Sequence, residues 1–264
     1  MTTTRAVRVG LMATVLALCA SIASAEVMTW TVDGDKREAI VFVPAAPAGS
    51  VPLIFSFHGH GDDMENFQYV GLQQAWPDAV VVYFQGLPSR DGLRGWQVQP
   101  GEYNDRDLKL VDVALASLRK KYNVDANRIY ATGFSNGGHF TYLLWAARPN
   151  VFAAYAPVAG RMRPAAVPRD PRPLFHVAGA RDAQVAFADQ KSAIEAAVRI
   201  NGVAGPTTSC GAGCSVYGSG SAAPVMTWIH QGGHEYPPGT SARIASFFHD
   251  HPRTAPADGP RPAR

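Results

Sequence analysis

Short, almost wholly apolar runs alternate along the chain with longer stretches in which apolar residues recur every three or four positions. Val51–Phe57 (VPLIFSF) and Ala79–Phe84 (AVVVYF) are of the first kind. With so little polar alternation, both faces are expected to be buried, as in the strands of a parallel sheet. Arg128–Thr132, Ala153–Val158, Leu174–Val177 and Val225–Ile229 read as further strands, and Thr29–Val32 with Ala39–Val43 as an antiparallel opening pair. Asp107–Tyr122 is the clearest helix. Its Leu108, Val111, Leu115, Leu118 and Tyr122 share one face, and Arg119, Lys120 and Lys121 close the last turn, where the helix dipole favours cations. Helical stretches follow from about Asn136 to Ala147, over Asp189–Ile200 and over Ser241–Asp250. Strands alternating with helices in this order predict an α/β fold, a mostly parallel central sheet with helices on both faces. No internal repeat interrupts it.

Residues 1–25 carry the marks of a secretory signal peptide. Arg5 and Arg8 form a basic start, Leu11 to Ile22 an apolar run, and Ala23-Ser24-Ala25 a cleavage site that starts the mature chain at Glu26. The run falls short of the about 20 apolar residues a membrane span needs. Cys19 invites a lipoprotein reading, but Leu18 stands where a lipobox has a small residue. Cleavage is therefore expected, with release to the periplasm or the medium and no membrane association afterwards. Residues 26–251 are expected to form the folded domain, and 252–264, with its prolines and arginines, a disordered tail.

Charge adds little. Arg5 and Arg8 account for two of the three net positive charges, so the remaining chain is nearly neutral and makes no case for a nucleic-acid partner. A monomer is expected. Outside the leader there are two cysteines, Cys210 and Cys214, separated by Gly-Ala-Gly. Under oxidising conditions a tight disulfide is the favoured reading. Two free thiols or half of a metal site are the alternatives, and no second Cys/His pair at ligand spacing supports a metal.

The chemistry centres on Gly133-Phe134-Ser135-Asn136-Gly137-Gly138, a G-x-S-x-G motif between an expected strand and an expected helix. That context defines a nucleophile elbow: small flanking residues permit a turn so sharp that the serine stands clear of the sheet at a helix N-terminus. A serine hydroxyl needs a base, and in such folds the acid and then the histidine follow the serine in the chain. His58 and His60 precede it, while His139 comes before any acid. His176 lies within a strand and His230 closes one; His249 and His251 end the last helix. His234 alone sits on a loop after a late strand, between glycines and prolines, and is the expected base. Asp182, after the strand and small-residue turn Pro173–Arg181, is the expected orienting acid. The other reading of Asp182 is a helix N-cap, and Asp189 is the runner-up acid. Backbone N–H groups of Asn136 and His60 are expected to form the oxyanion hole, with Gly59 as the alternative to His60.

Phe57-His58-Gly59, the stretch from Tyr122 to Gly138, the Gly179–Asp182 turn and Gly232-Gly233-His234 resemble the secreted polyhydroxybutyrate depolymerase and feruloyl esterase family. The resemblance spans roughly residues 28–250. It implies an α/β-hydrolase fold, no cofactor, and ester hydrolysis through an acyl-enzyme on a small-molecule or oligomeric ester, with Ser135, Asp182 and His234 as the triad. Members often carry Cys where His60 stands, and Gly-Gly-Gly-His where this chain has Gln231-Gly232-Gly233-His234. For substrate, Trp96 on a glycine-rich loop and Tyr236 beside the base are candidates to wall an acyl pocket, with folding onto the core the other reading of Trp96. Trp145 is expected in the core. The expected activity is feruloyl-esterase-like, on plant cell-wall esters. A hydroxybutyrate-oligomer depolymerase is the alternative. An acyltransferase with the same triad and a noncatalytic ester- or sugar-binding module complete the set.

Overall fold

The apolar runs form the middle of one large sheet. The computed structural model describes residues 24–45 and 49–253, so the expected leader up to residue 23 and the tail from 254 lie outside it. The elements are β1 (Ser24–Val32), β2 (Asp35–Val43), β3 (Val51–Phe57), α1 (Met64–Phe67), α2 (Leu72–Ala75), β4 (Val80–Phe84), β5 (Leu87–Pro88), β6 (Arg94–Gly95), α3 (Arg106–Lys121), β7 (Val124–Phe134), α4 (Asn136–Ala147), β8 (Ala154–Val158), β9 (Leu174–Gly179), α5 (Phe187–Ile200), β10 (Thr207–Gly211), β11 (Cys214–Tyr217), β12 (Val225–His230) and α6 (Thr240–Asp250).

Ten strands run in the order β1-β2-β4-β3-β7-β8-β9-β12-β11-β10. The six from β4 to β12 are parallel, and an antiparallel pair closes each edge. Alternation along each central strand feeds two cores. Leu53, Phe55 and Phe57 of β3 join Val80, Val82 and Phe84 against α3, α4 and α5, while Ile54, Val81 and Tyr83 face α1, α2 and α6. A fully buried Phe such as Phe55 contributes about 2 to 3 kcal/mol relative to exposure. Trp145 lies in the first of these cores, as expected.

Several pieces, the small β5–β6 pair among them, were not legible in the pattern. The short helices α1 and α2 have too few residues to show a period. The hairpin β10–β11 lies at a sheet edge, and β10 (TTSCG) has no buried position to alternate with exposed ones. Cys210 and Cys214 form a disulfide across its turn, in accord with the expected pairing. β1 is also longer than expected, beginning at Ser24 within the expected cleavage motif, with Ala25 paired to Phe42. Among the described residues no helix is long and apolar enough to cross a membrane.

Candidate active site

β7 ends at Phe134 and α4 starts at Asn136, leaving Ser135 alone between them with φ 54° and ψ −112°. Residues bearing a side chain rarely take such angles. The turn is possible because its flanks have no side chains. A Cβ on Gly133 would lie 2.4 Å from the Gly137 carbonyl oxygen, and one on Gly137 only 2.1 Å from that of Phe57.

The end of β12 supplies the second group. His234 lies on the loop beyond His230, with Nε2 2.8 Å from Ser135 Oγ and Nδ1 2.8 Å from Asp182 Oδ2. With the hydroxyl donating to Nε2, the ring proton sits on Nδ1 and is donated to the carboxylate. This loop is zipped to the one after β9: Ala180 N donates to His230 O at 2.8 Å and Arg181 N to Gly232 O at 3.0 Å. The approach is so close that a Cβ on Gly179 would stand 2.1 Å from Gly233 O.

Asp182 is 5% exposed. Its Oδ1 accepts from the backbone N–H groups of Gln184 and Val185 at 2.9 and 3.0 Å, and its Oδ2 accepts from Gln190 Nε2 at 2.9 Å besides His234. The carboxylate caps no helix, because the residue before α5 is Ala186. Asp189, in the first turn of α5, is paired with Arg161.

Beside the serine runs the loop after β3, where a Cβ on Gly59 would be 3.7 Å from that of Ser135. Among the described residues no backbone hydrogen bond of a turn, loop or cap uses the N–H of His60 or of Asn136. His58 holds this loop in place. Its Nδ1–H donates to Gly59 O at 2.7 Å, and its Nε2 accepts from Gly86 N at 3.0 Å. Because carbonyl and N–H of one trans peptide point opposite ways, holding Gly59 O fixes the direction of the His60 N–H. Burial pushes the His58 pKa down, so the ring keeps this neutral form. The side chain of His60 itself is exposed and reaches Asp91 Oδ2 at 2.7 Å.

Trp96 is corrected from pocket wall to brace. Its side chain is 2% exposed, its ring packs between Phe57 and Phe140, and its indole N–H is spent on His58 O at 2.9 Å. Its backbone exchanges two bonds with the Asn136 side chain, at 2.7 and 3.1 Å. One residue thus ties the loop after β3 to the elbow. Tyr236 is half-buried, bonds Ser241 Oγ at 2.9 Å, and faces Phe134 and Phe67.

Tyr236 lines a cavity of about 740 Å³ with Phe67, Tyr69 and Phe134. Phe134 sets this cavity beside the site, since its ring lies 4.9 Å from that of His234. Sequence reasoning missed Phe67, Tyr69 and Phe134. Phe134 could have been found as the x before the serine in the motif, but the other two sit in helices too short to show a pattern. His139 also faces the site from α4. Its Nδ1 accepts from Arg161 N at 2.9 Å, and burial, reinforced by Arg161 and Arg163, pushes its pKa down to about 3.

No protein-family model matches the chain. The solved acetyl xylan esterase from Aspergillus awamori superposes with a TM-score of 0.68 at 15% identity, covering 85% of this chain and 99% of that one. The chain has the α/β-hydrolase fold. By sequence, it is similar to the bifunctional acetylxylan esterase/xylanase XynS20E of Neocallimastix patriciarum, 33% identical over 153 residues, 56% of this chain and 22% of that protein. It is similar also to feruloyl esterase C of Emericella nidulans, 27% identical over 218 residues, 76% of this chain and 77% of that protein. The chain thus spans about a fifth of the first of these two relatives.

Proposed function

We propose that the chain is a secreted or periplasmic serine esterase that hydrolyses carboxylic esters through an acyl-enzyme. Ser135 is the nucleophile, His234 the general base and Asp182 the acid that orients it. The observation that carries this reading is the line from Asp182 through His234 to Ser135, 2.8 Å at each step. As Oγ attacks the ester carbonyl carbon, His234 Nε2 takes its proton, and the oxyanion is received by the N–H groups of Asn136 and His60. Asp182 stabilises the imidazolium, which gives its proton to the departing alcohol. Water activated by the same ring then cleaves the acyl-enzyme and frees the serine. The Cys210–Cys214 disulfide supports export, because such bonds persist in oxidising compartments.

Within that class the substrate is a feruloyl-type ester of plant cell walls. With Trp96 in the core, support comes from the aromatic lining of Phe67, Tyr69, Phe134 and Tyr236 and from the similarity to feruloyl esterase C. A fluorophosphonate probe should label Ser135, and Ser135→Ala should lose both label and hydrolysis, on the order of a million-fold in turnover. A label on another serine overturns the site. Comparing kcat/KM for methyl ferulate with that for a hydroxybutyrate trimer tests the substrate, and a trimer better by about tenfold, ~1.4 kcal/mol, overturns the feruloyl reading.

A further inference from the structure

Behind the Asp182 carboxylate lies a line of buried polar side chains that no step of the proposed chemistry uses. Gln190, on α5, donates from Nε2 to Asp182 Oδ2 at 2.9 Å and to the Val185 carbonyl at 2.7 Å. Its Oε1 is 3.3 Å from Nε2 of His176 on β9, and Nδ1 of that ring is 2.7 Å from the Tyr142 hydroxyl on α4. Gln190 and His176 are 0% exposed and Tyr142 1%.

The direction of every bond in this line follows from its ends. The Gln190 amide meets two acceptors on one side, so its NH₂ faces them and its Oε1 is left to accept. That acceptor requires the His176 proton on Nε2, so Nδ1 is bare and takes the Tyr142 O–H. Burial favours the same states: it pushes the Tyr142 hydroxyl up, keeping its proton, and His176 down to about 4, keeping the ring neutral. Two donor lines therefore converge on one oxygen, Asp182 Oδ2. One runs from Tyr142 through His176 and Gln190, and the other from Ser135 through His234. Apolar residues could fill the same volume without needing partners, whereas each of these buried polar groups must be satisfied.

We infer that Gln190, its amide held one way round by His176 and Tyr142, is a positioning residue that sets the roll of the Asp182 carboxylate toward His234. The use of that carboxylate in catalysis rests on the esterase reading above. The physical effect is twofold. The Gln190 N–H, with the Gln184 and Val185 N–H groups on Oδ1, limits rotation about the Asp182 Cβ–Cγ bond, and as a neutral donor it draws charge from Oδ2. Without it, Oδ2 serves His234 alone and favours the imidazolium more strongly, so the midpoint of His234 rises. Asp182 from the β9–α5 loop, Ser135 and the Phe134 ring from the elbow, and His139 from α4 face His234.

The test measures the full chain as wild type, Gln190→Leu, His176→Leu, His176→Gln and Tyr142→Phe. Two readouts are taken: NMR titration of the His234 ring, and kcat and KM on 4-nitrophenyl acetate. Gln190→Leu should raise the His234 midpoint by about half a unit. It should lower kcat about tenfold at unchanged KM. His176→Leu and Tyr142→Phe should move both the same way by less, and His176→Gln, which restores a donor to Gln190 Oε1, should recover most of the loss. An unmoved midpoint and a kcat within about twofold of wild type in Gln190→Leu and His176→Leu would overturn the inference. Should Gln190→Leu not fold, the His176 and Tyr142 variants carry the same test, because they leave the bonds of Asp182 in place. A wild type with neither hydrolysis nor label at Ser135 would sink the esterase reading instead, and the His234 titration would still decide the role of Gln190.

Discussion

The same buried His176 makes the fold sensitive to acid. Burial holds its pKa at about 4 in the folded chain, against 6.5 for an ordinary histidine. Below pH 6.5 the unfolded chain therefore binds a proton that the folded chain refuses. Stability from this group is fully present above 6.5, is lost as pH falls toward 4, and changes no further once both states are protonated. The loss across that window is about 3 kcal/mol, a large part of the 5 to 15 kcal/mol that hold a typical domain. His139 and His58 are also pushed down by burial, so the wild type loses more than His176 alone would take. A comparison isolates the one group. Urea unfolding of wild type and His176→Gln, followed by tryptophan fluorescence between about pH 7 and about pH 4.5, should show the wild type losing about 2 kcal/mol more than the variant, most of the full loss. Parallel stability curves for the two proteins would refute the assignment of a neutral, buried His176.

Two further perturbations bear on the site. Gly179→Ala places a Cβ 2.1 Å from Gly233 O, so the loop carrying His234 must shift. Thermal melting should show a loss of about 1 to 3 kcal/mol, and turnover should fall further than that loss explains. Asp182→Asn offers one oxygen where the structure has four donors on two, and the backbone N–H groups of Gln184 and Val185 compete for it. The NH₂ then faces His234 and reverses its tautomer, so kcat should fall about 10⁴-fold; because it also meets the Gln190 Nε2 donor, thermal melting should show a loss of about 1 to 3 kcal/mol. Near-wild-type turnover would show that the ring needs no orienting acceptor.

Much of this was legible in the residues because the determinants are local. Burial of both strand faces shows as continuous apolar runs, so β3, β4 and the mostly parallel character of the sheet could be read before any coordinates, while the order of its strands could not. The elbow is local too, since the closeness of Gly133 to Gly137 is a property of adjacent residues. Chain order together with each residue's place on a turn or loop after a strand singled out Asp182 and His234 as partners for Ser135, and the structure brings the three into one hydrogen-bonded line.

Tertiary structure decided what depends on contacts distant in sequence. Trp96 on a glycine-rich loop looks the same whether its ring faces a ligand or the core. Its burial is settled by His58 O, Phe140 and Asn136, which lie about forty residues away in either direction. Phe67 and Tyr69 reach the cavity from one-turn elements with no period to read. Gln190 carries no motif, and a glutamine in an amphipathic helix ordinarily marks the solvent side. Only the packing of α5 against β9 turns it inward, onto the carboxylate that the chain order had already pointed to. The sequence of this protein determines which groups are present and in what order, because elbow and strands are short-range features. Which of them meet is determined by the folded sheet and the helices packed on it, because burial and hydrogen-bond geometry are long-range.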